Sequence, residues 1–280
     1  MPIDNWDEFW ADYAFIRIRG RSRIPDEPRQ VILENRIYMG GIRAQDDIYE
    51  GHPRFSEPSP TVRADLLKLA KRQMPSASSS EVEDEVDRIM RRLSDEDTRS
   101  NAVKEIKLQL DAQIGQSSIL SFFRVTTDQR NWSEYGERGK GHAFVFDFRH
   151  PWFMQCAVGM EPIDAVPFPI KYIPEGGAPE IPIKFGPTDK EEGWQDIEAA
   201  LLTKSNRWAD QREERLIRHG IGEGLVEFHP QSLKAVVLGY DAPRDDEEMF
   251  RELCSQRAGE IQLFRLRADR ESWRLHLEPL

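Results

Sequence analysis

Lys204, Trp208, Gln211, Glu213 and Arg215 fall inside a single run, Lys-Ser-Asn-Arg-Trp-Ala-Asp-Gln-Arg-Glu-Glu-Arg, that ends in the apolar pair Leu216-Ile217. Read as a strand over Gln211 to Ile217, the two-residue period puts Gln211, Glu213 and Arg215 on one face. Polar groups converging on one sheet face are costly to bury unpaired, so they line a cleft or face bulk water. A cleft would make them a ligand site. In water the same letters spell a solvated ion-pair ladder. They also fit a helix continued from Asn206, with Glu214 paired to Arg218. Other chemistries find little purchase. The six histidines form no H-E-x-x-H or other ligand spacing, so the sequence offers no metal site. His52, near Asp46, Asp47 and Glu50, is the nearest approach to one, and it also reads as a charged surface loop. No P-loop, G-x-G-x-x-G or G-x-S-x-G is present.

Composition bounds the classes that remain. The chain has 280 residues, 39% of them hydrophobic, with seven Trp, enough for a sizeable core. Its 39 basic and 50 acidic residues leave a formal charge of -11. That balance argues against bulk attraction to nucleic acid or an anionic membrane. A local basic cleft remains open, because Arg17, Arg19, Arg21 and Arg23 cluster early. Cys156 and Cys254 stand far apart in no metal or redox spacing, which suits a reducing compartment. The acidic start, Met-Pro-Ile-Asp-Asn-Trp-Asp-Glu, has no apolar signal core, and no run approaches the ~20 apolar residues of a membrane helix. The expectation is a cytoplasmic protein with no membrane partner.

The elements that must position these residues follow from periodicity. Trp6, Phe9, Trp10 and Tyr13 keep helical spacing behind Asp4 as N-cap, giving a short helix that docks on the core or carries a partner-binding stripe. Phe15 to Arg19 alternates like a strand with Arg17 and Arg19 on one face, and Val31 to Leu33 enters the body after a Pro25–Pro28 turn. Arg36 to Met39 gives a second strand, stopped by Gly40-Gly41. Residues 57–115 differ: helices are expected over Val62–Gln73, over Glu81–Leu93 behind a Ser80/Glu83 capping box, and over Thr98–Ile114. Strands return at Ile119–Phe123, His142–Phe148 and Ile170–Tyr172, then a helix at Asp189–Lys204 buries Trp194, Ile197 and Leu201. Strands at Gln211–Ile217, Leu225–Phe228, Ala235–Leu238, Ile261–Leu266 and Trp273–Leu277, with a helix at Asp245–Arg257, complete the chain. Helices and strands do not alternate regularly, so the expected class is α+β. The expectation is one domain over 1–280 with a mixed, mostly antiparallel sheet and a helical insertion at 57–115.

Several short pieces stand in a recognisable order outside the insertion. They are Phe15–Arg19, Leu33–Tyr38, Ser121-Phe122, Trp132–Tyr135 with Gly141, Lys171-Tyr172, Lys204, Trp208, Glu213, Arg215, Phe228–Pro230 and Val237–Gly239. In that order the chain resembles the bacterial family catalogued as domain of unknown function 2971. It departs from the family at Asp46-Asp47-Ile48, where an Asn-Asp-Pro-like corner is usual, and at Phe123 and Gln211, where Ser and Glu are expected.

More distantly, the layout resembles the ADP-ribosyltransferase superfamily, with a basic residue on an early strand (Arg17), a Ser on a middle strand (Ser121) and a Gln/Glu-x-Glu pair on a late strand (Gln211 and Glu213). That resemblance implies NAD as substrate. Glu213 would stabilise the positive charge that builds on the ribose as nicotinamide leaves, and Gln211 would orient the acceptor. Arg17 would pair with a phosphate. Tyr135 or Trp132 would stack on nicotinamide, with Lys204 and Arg215 serving the substrate or bracing the strand. The pair itself recurs at Glu81/Glu83 and Glu83/Glu85 in the insertion. Trp132 and Trp208 also read as core anchors. The acceptor is left open between protein, nucleic acid and water. The competing reading is a non-catalytic binding or regulatory module, and either would suit a bacterial defence or stress operon. A transferase needs Arg17, Gln211 and Glu213 at one cleft, whereas a binding module allows them to lie apart or face bulk water.

Overall fold

The computed structural model describes residues 5–21, 26–45, 50–56, 62–149, 167–184, 198–219, 222–257, 259–269, 271–272 and 274–280. Expectations at Asp4, Arg23, Pro25, Asp46, Asp47, Ile48, Cys156, Trp194, Ile197 and Trp273 lie outside them. The architecture is α+β, a mixed and mostly antiparallel sheet with helices set against it.

The strands of the main sheet are β1 (Ala14–Arg19), β2 (Arg36–Gly41), β4 (Ser118–Phe123), β5 (His142–Asp147), β6 (Phe168–Pro169), β10 (Glu213–Arg218), β11 (Gly224–Glu227), β12 (Leu233–Leu238), β13 (Gln262–Asp269) and β14 (Arg274–Pro279). The order runs β11-β2-β4-β1-β5-β12-β13-β14, with β10 on β4 and β6 on β10. Every pairing in it is antiparallel except β12 with β13. Those two are joined through α7 (Arg244–Gln256), as a parallel pair requires a crossover. Each residue of β5 and β12 is buried, which is how central strands covered on both faces read. One face packs Leu120, Phe122, Phe144, Phe146 and Val236 with Val31 and Ile32 of α2 (Glu27–Ile32) and Phe250 of α7. The other packs Ile16, Ile18, Phe123, Val145 and Val237 against Phe9 and Trp132. Two small parallel pairs stand beside the sheet, β3 (Arg54–Ser56) with β8 (Glu180–Pro182) and β7 (Lys171–Ile173) with β9 (Thr203–Ser205).

β4 is the pivot. β10 runs along one edge through all six residues. The other edge is divided, with Phe123 paired to Ile16 of β1, and Ile119 and Ser118 paired to Gly40 and Gly41 of β2. Between those contacts β1 and β2 part, leaving backbone groups that must find other partners.

Several expected boundaries moved. The first helix is one α turn, Trp6–Glu8, that widens into a π turn over Phe9–Tyr13, and Asn5 accepts from Glu8 N at its start. It docks on the core, with the Trp6 and Trp10 rings 5.2 and 5.5 Å from Phe264. β2 continues through both glycines that were expected to stop it. The insertion forms α3 (Val62–Gln73), α4 (Ser79–Leu93) and α5 (Glu96–Gly115) around Leu66, Ala70, Val82 and Val86. Its capping box uses Ser78 and Glu81 rather than Ser80 and Glu83; both pairs have the spacing, and the one further upstream starts the helix.

Candidate functional site

Where β1 and β2 separate, a cavity of about 960 Å³ opens, lined by Arg17, Ile18 and Arg19 of β1, Tyr38 and Gly40 of β2, and Ser121 and Phe123 of β4. Gln30, Gln45, Arg36, Glu223, Tyr135, Lys204 and Glu213 add to the polar part of its wall. Arg17 spans the split. It donates through Nη1 to Ser121 O at 3.4 Å and through Nη2 to Tyr38 O at 3.2 Å, giving partners to carbonyls that the divergence would strand. Burial, with Arg19 alongside, lowers its pKa to about 9, so it stays charged at neutral pH. Glu27 of α2 lies 2.8 Å from Arg19 Nε and 3.9 Å from Arg17 Nε, fixing both cations from behind.

At the other end of the wall sits a buried ionic quartet. Glu213 Oε1 takes Arg215 Nε at 2.6 Å, and its Oε2 takes Lys204 Nζ at 2.9 Å. The same two cations reach Glu50, Arg215 Nη2 at 2.5 Å and Lys204 Nζ at 3.1 Å. Two carboxylates thus balance two cations. Burial by itself would raise the Glu213 pKa, but Arg215 and Lys204, with a hydrogen bond from Ser121, hold it down to about 2. For Glu50 burial prevails over the same cations and its pKa is raised. Glu213 N donates to Tyr172 OH at 2.9 Å, which fixes the start of β10.

Gln211 arrives by a different route from the expected strand. Asn206–Gln211 is a 3₁₀ helix, Arg212 takes a left-handed φ of 47°, and β10 begins only at Glu213. Gln211 therefore does not share a strand face with Glu213 and Arg215. It reaches the quartet from the turn, accepting from Lys204 Nζ at 3.1 Å and donating to Tyr135 OH at 2.7 Å and Glu134 Oε2 at 3.2 Å. Lys204 also leaves its expected helix, since Thr203–Ser205 is β9. Its Nζ stands 5.0 Å from the Trp208 ring centre. The alternative helix through Glu214 does not form; Glu214 lies on β10, 3.6 Å from Arg124.

Of the residues singled out in the sequence, Arg17, Ser121, Tyr135, Lys204 and Glu213 border one cavity, and Gln211 bonds two of them. Arg215 is fully buried, does not line the cavity and braces Glu213, donating also to Leu201 O at 2.8 Å. Trp132 corrects the stacking role assigned to it: its side chain is wholly in the core, donating to Thr126 O at 2.6 Å, and does not reach the cavity. Tyr135, the other candidate for that role, does line it, 5.1 Å from Phe123. Glu50, Arg36, Tyr38 and Tyr172 were not foreseen in these roles, whereas Arg19 belongs to the early arginine cluster that left a basic cleft open. Glu50 carried only the weak signal of one carboxylate in a charged stretch. Ser121 could be paired with Arg215 only once the β4–β10 register was known.

No protein-family model, no curated protein and no solved structure matches this chain.

Proposed function

We propose that the cleft between β1, β2 and β4 binds NAD and that the protein cleaves its nicotinamide–ribose bond, passing ADP-ribose to an acceptor or to water. The observation that carries this reading is the convergence of Arg17, Ser121, Tyr135, Lys204 and Glu213, from five separate places in the chain, on one cavity of about 960 Å³. That volume lies at the upper end of small-molecule sites, about 300–1,000 Å³. Arg17, Arg19, Arg36 and Lys204 outnumber Glu213 and Glu223 on its wall, which favours an anionic guest despite a chain charge of -11. Guanidinium groups suit a diphosphate, and Tyr38, Phe123 and Tyr135 offer rings to the base and the nicotinamide.

As the glycosidic bond breaks, its electron pair leaves with nicotinamide and positive charge builds on the sugar. A carboxylate with a pKa near 2 remains ionised at neutral pH, so Glu213 suits a fixed counter-charge better than a proton carrier. Ser121 and Arg215 hold it in place. Gln211, tied to Lys204 and Tyr135, steadies the rim beside it.

A second reading has its own observation. Both oxygens of Glu213 are engaged by Arg215 and Lys204, and those cations work against charge building on a sugar. A binding or regulatory module would hold an anion in the same cleft and turn nothing over. The discriminating experiment incubates purified protein with NAD labelled in its adenylate, with and without a bacterial lysate, beside Glu213→Gln. Label transfer or ADP-ribose release that drops about 100- to 1,000-fold in the variant supports the enzyme. Saturable NAD binding with no product from wild type supports the module.

A further inference from the structure

The main sheet ends on β14, whose one strand partner among the described residues is β13. Just past the Phe264–Pro279 pair, Leu280 N donates to Leu263 O at 2.9 Å. The antiparallel alternation then turns the backbone groups of Arg274, His276 and Glu278 toward β13. Those of Leu275 and Leu277 point the other way, along an open edge. Pro279 has no N–H and ends the usable part of that edge. The side chains divide by face. Leu275 and Leu277 are half-buried against the core of Phe9, Trp132 and Phe264, and Arg274, His276 and Glu278 stand exposed on the opposite face. An open edge of this kind pairs with another strand unless something blocks it.

We propose that β14 pairs antiparallel with β14 of a second copy of this chain, about a two-fold axis at His276, so that two sheets become one. Leu275 then exchanges N–H and C=O with the partner's Leu277, and Leu277 with the partner's Leu275. On the apolar face Leu275 meets the partner's Leu277, and on the exposed face Arg274 meets the partner's Glu278, opposite charge on opposite charge at both ends of the contact. Other registers lose one of these features. An axis at Leu277 sets Leu275 against Pro279, which lacks an N–H, and an axis at Leu275 sets Arg274 against His276 and takes away its acidic partner. Chains of charge -11 repel one another at large, but Arg274, with Arg267 paired to Glu278, brings basic groups to this edge. The far end of the sheet has no such match. A two-fold pair of β11 centred on Leu225 would set Glu223 against Glu227, like charge on like.

The test combines sedimentation of the full chain with cysteine cross-linking. Across the axis the two His276 positions form a close, non-hydrogen-bonded pair within reach of a disulfide, whereas each Arg274 stands about 14 Å from its own counterpart. Wild type should move from 32.5 kDa toward twice that mass as its concentration rises. His276→Cys should give a covalent dimer on mild oxidation, and Arg274→Cys, with the same Cys156 and Cys254 in the background, should not. Arg274→Glu should weaken the dimer about tenfold by facing like charges, and Glu278→Arg added to it should restore the affinity. These substitutions fall on exposed side chains and leave the backbone bonds to β13 in place. The proposal is overturned by a wild type that stays monomeric at every concentration, by equal cross-linking of the two cysteine variants, or by a dimer that His276→Cys does not trap. A dimer indifferent to Arg274→Glu overturns the register.

Discussion

Glu213 and Glu50 are the same kind of side chain, held by the same two cations, and their surroundings pull their pKa values in opposite directions. Removing one charge from so buried a set leaves another uncompensated, which costs about 3–5 kcal/mol. Glu213→Gln should therefore unfold at lower urea than wild type by about that free energy, in addition to any loss of activity; a change within error would mean the quartet is solvated. The pH dependence follows from the sign of the shift. The folded pKa of Glu213, about 2, lies below its ordinary 4.5, so its stabilisation is complete above 4.5 and is lost as pH falls toward 2. Glu50, shifted upward, contributes in the opposite sense. Chemical denaturation from pH 6 to pH 2.5 should then show a steep acid loss in wild type that flattens in Glu213→Gln. Residue types near Glu213 could be read from the sequence because they stand close together along the chain. Glu50 could not, because only the fold carries it to Arg215.

Among the elements, the divided edge of β4 makes the site, and Arg17 holds that division open. Arg17→Met should strand the Ser121 and Tyr38 carbonyls at about 1–3 kcal/mol each and weaken binding of any anion in the cleft. Melting together with calorimetric titration measures both effects. Gly141 supports the same region from behind: a Cβ there would stand 2.0 Å from Arg19 O, so Gly141→Ala must push the backbone at the end of β1. It should destabilise by about 1–3 kcal/mol and disturb the cavity through Arg19. By contrast, Ser78→Ala should cost about 1 kcal/mol, loosening α4 without changing the cleft; hydrogen exchange resolved by segment separates the two cases. Most of the strands and the helices α3, α4 and α5 were legible because their periodicities are local. The turn over Asn206–Gln211 was not. A 3₁₀ run followed by a left-handed Arg212 leaves no pattern distinct from an alternating polar strand, and Arg212 lacks the usual signal of glycine.

In the whole molecule, an acidic chain encloses a cleft with a basic wall. Composition could argue against bulk nucleic-acid binding, but it could not show where the cations gather, since that depends on which strands pair. The α+β class followed from the irregular order of helices and strands, whereas the sharing of one edge of β4 by β1 and β2 is a long-range choice with no local trace. Among the described residues no helix is long and apolar enough to cross a membrane. The measurement that bears most directly on the account is nicotinamide release from NAD by purified wild type, followed by chromatography beside a folded Glu213→Gln. The account predicts steady release by wild type and a fall of about 100-fold or more in the variant. Equal rates in the two proteins, or no release by a wild type that is folded and saturated with NAD, would contradict it.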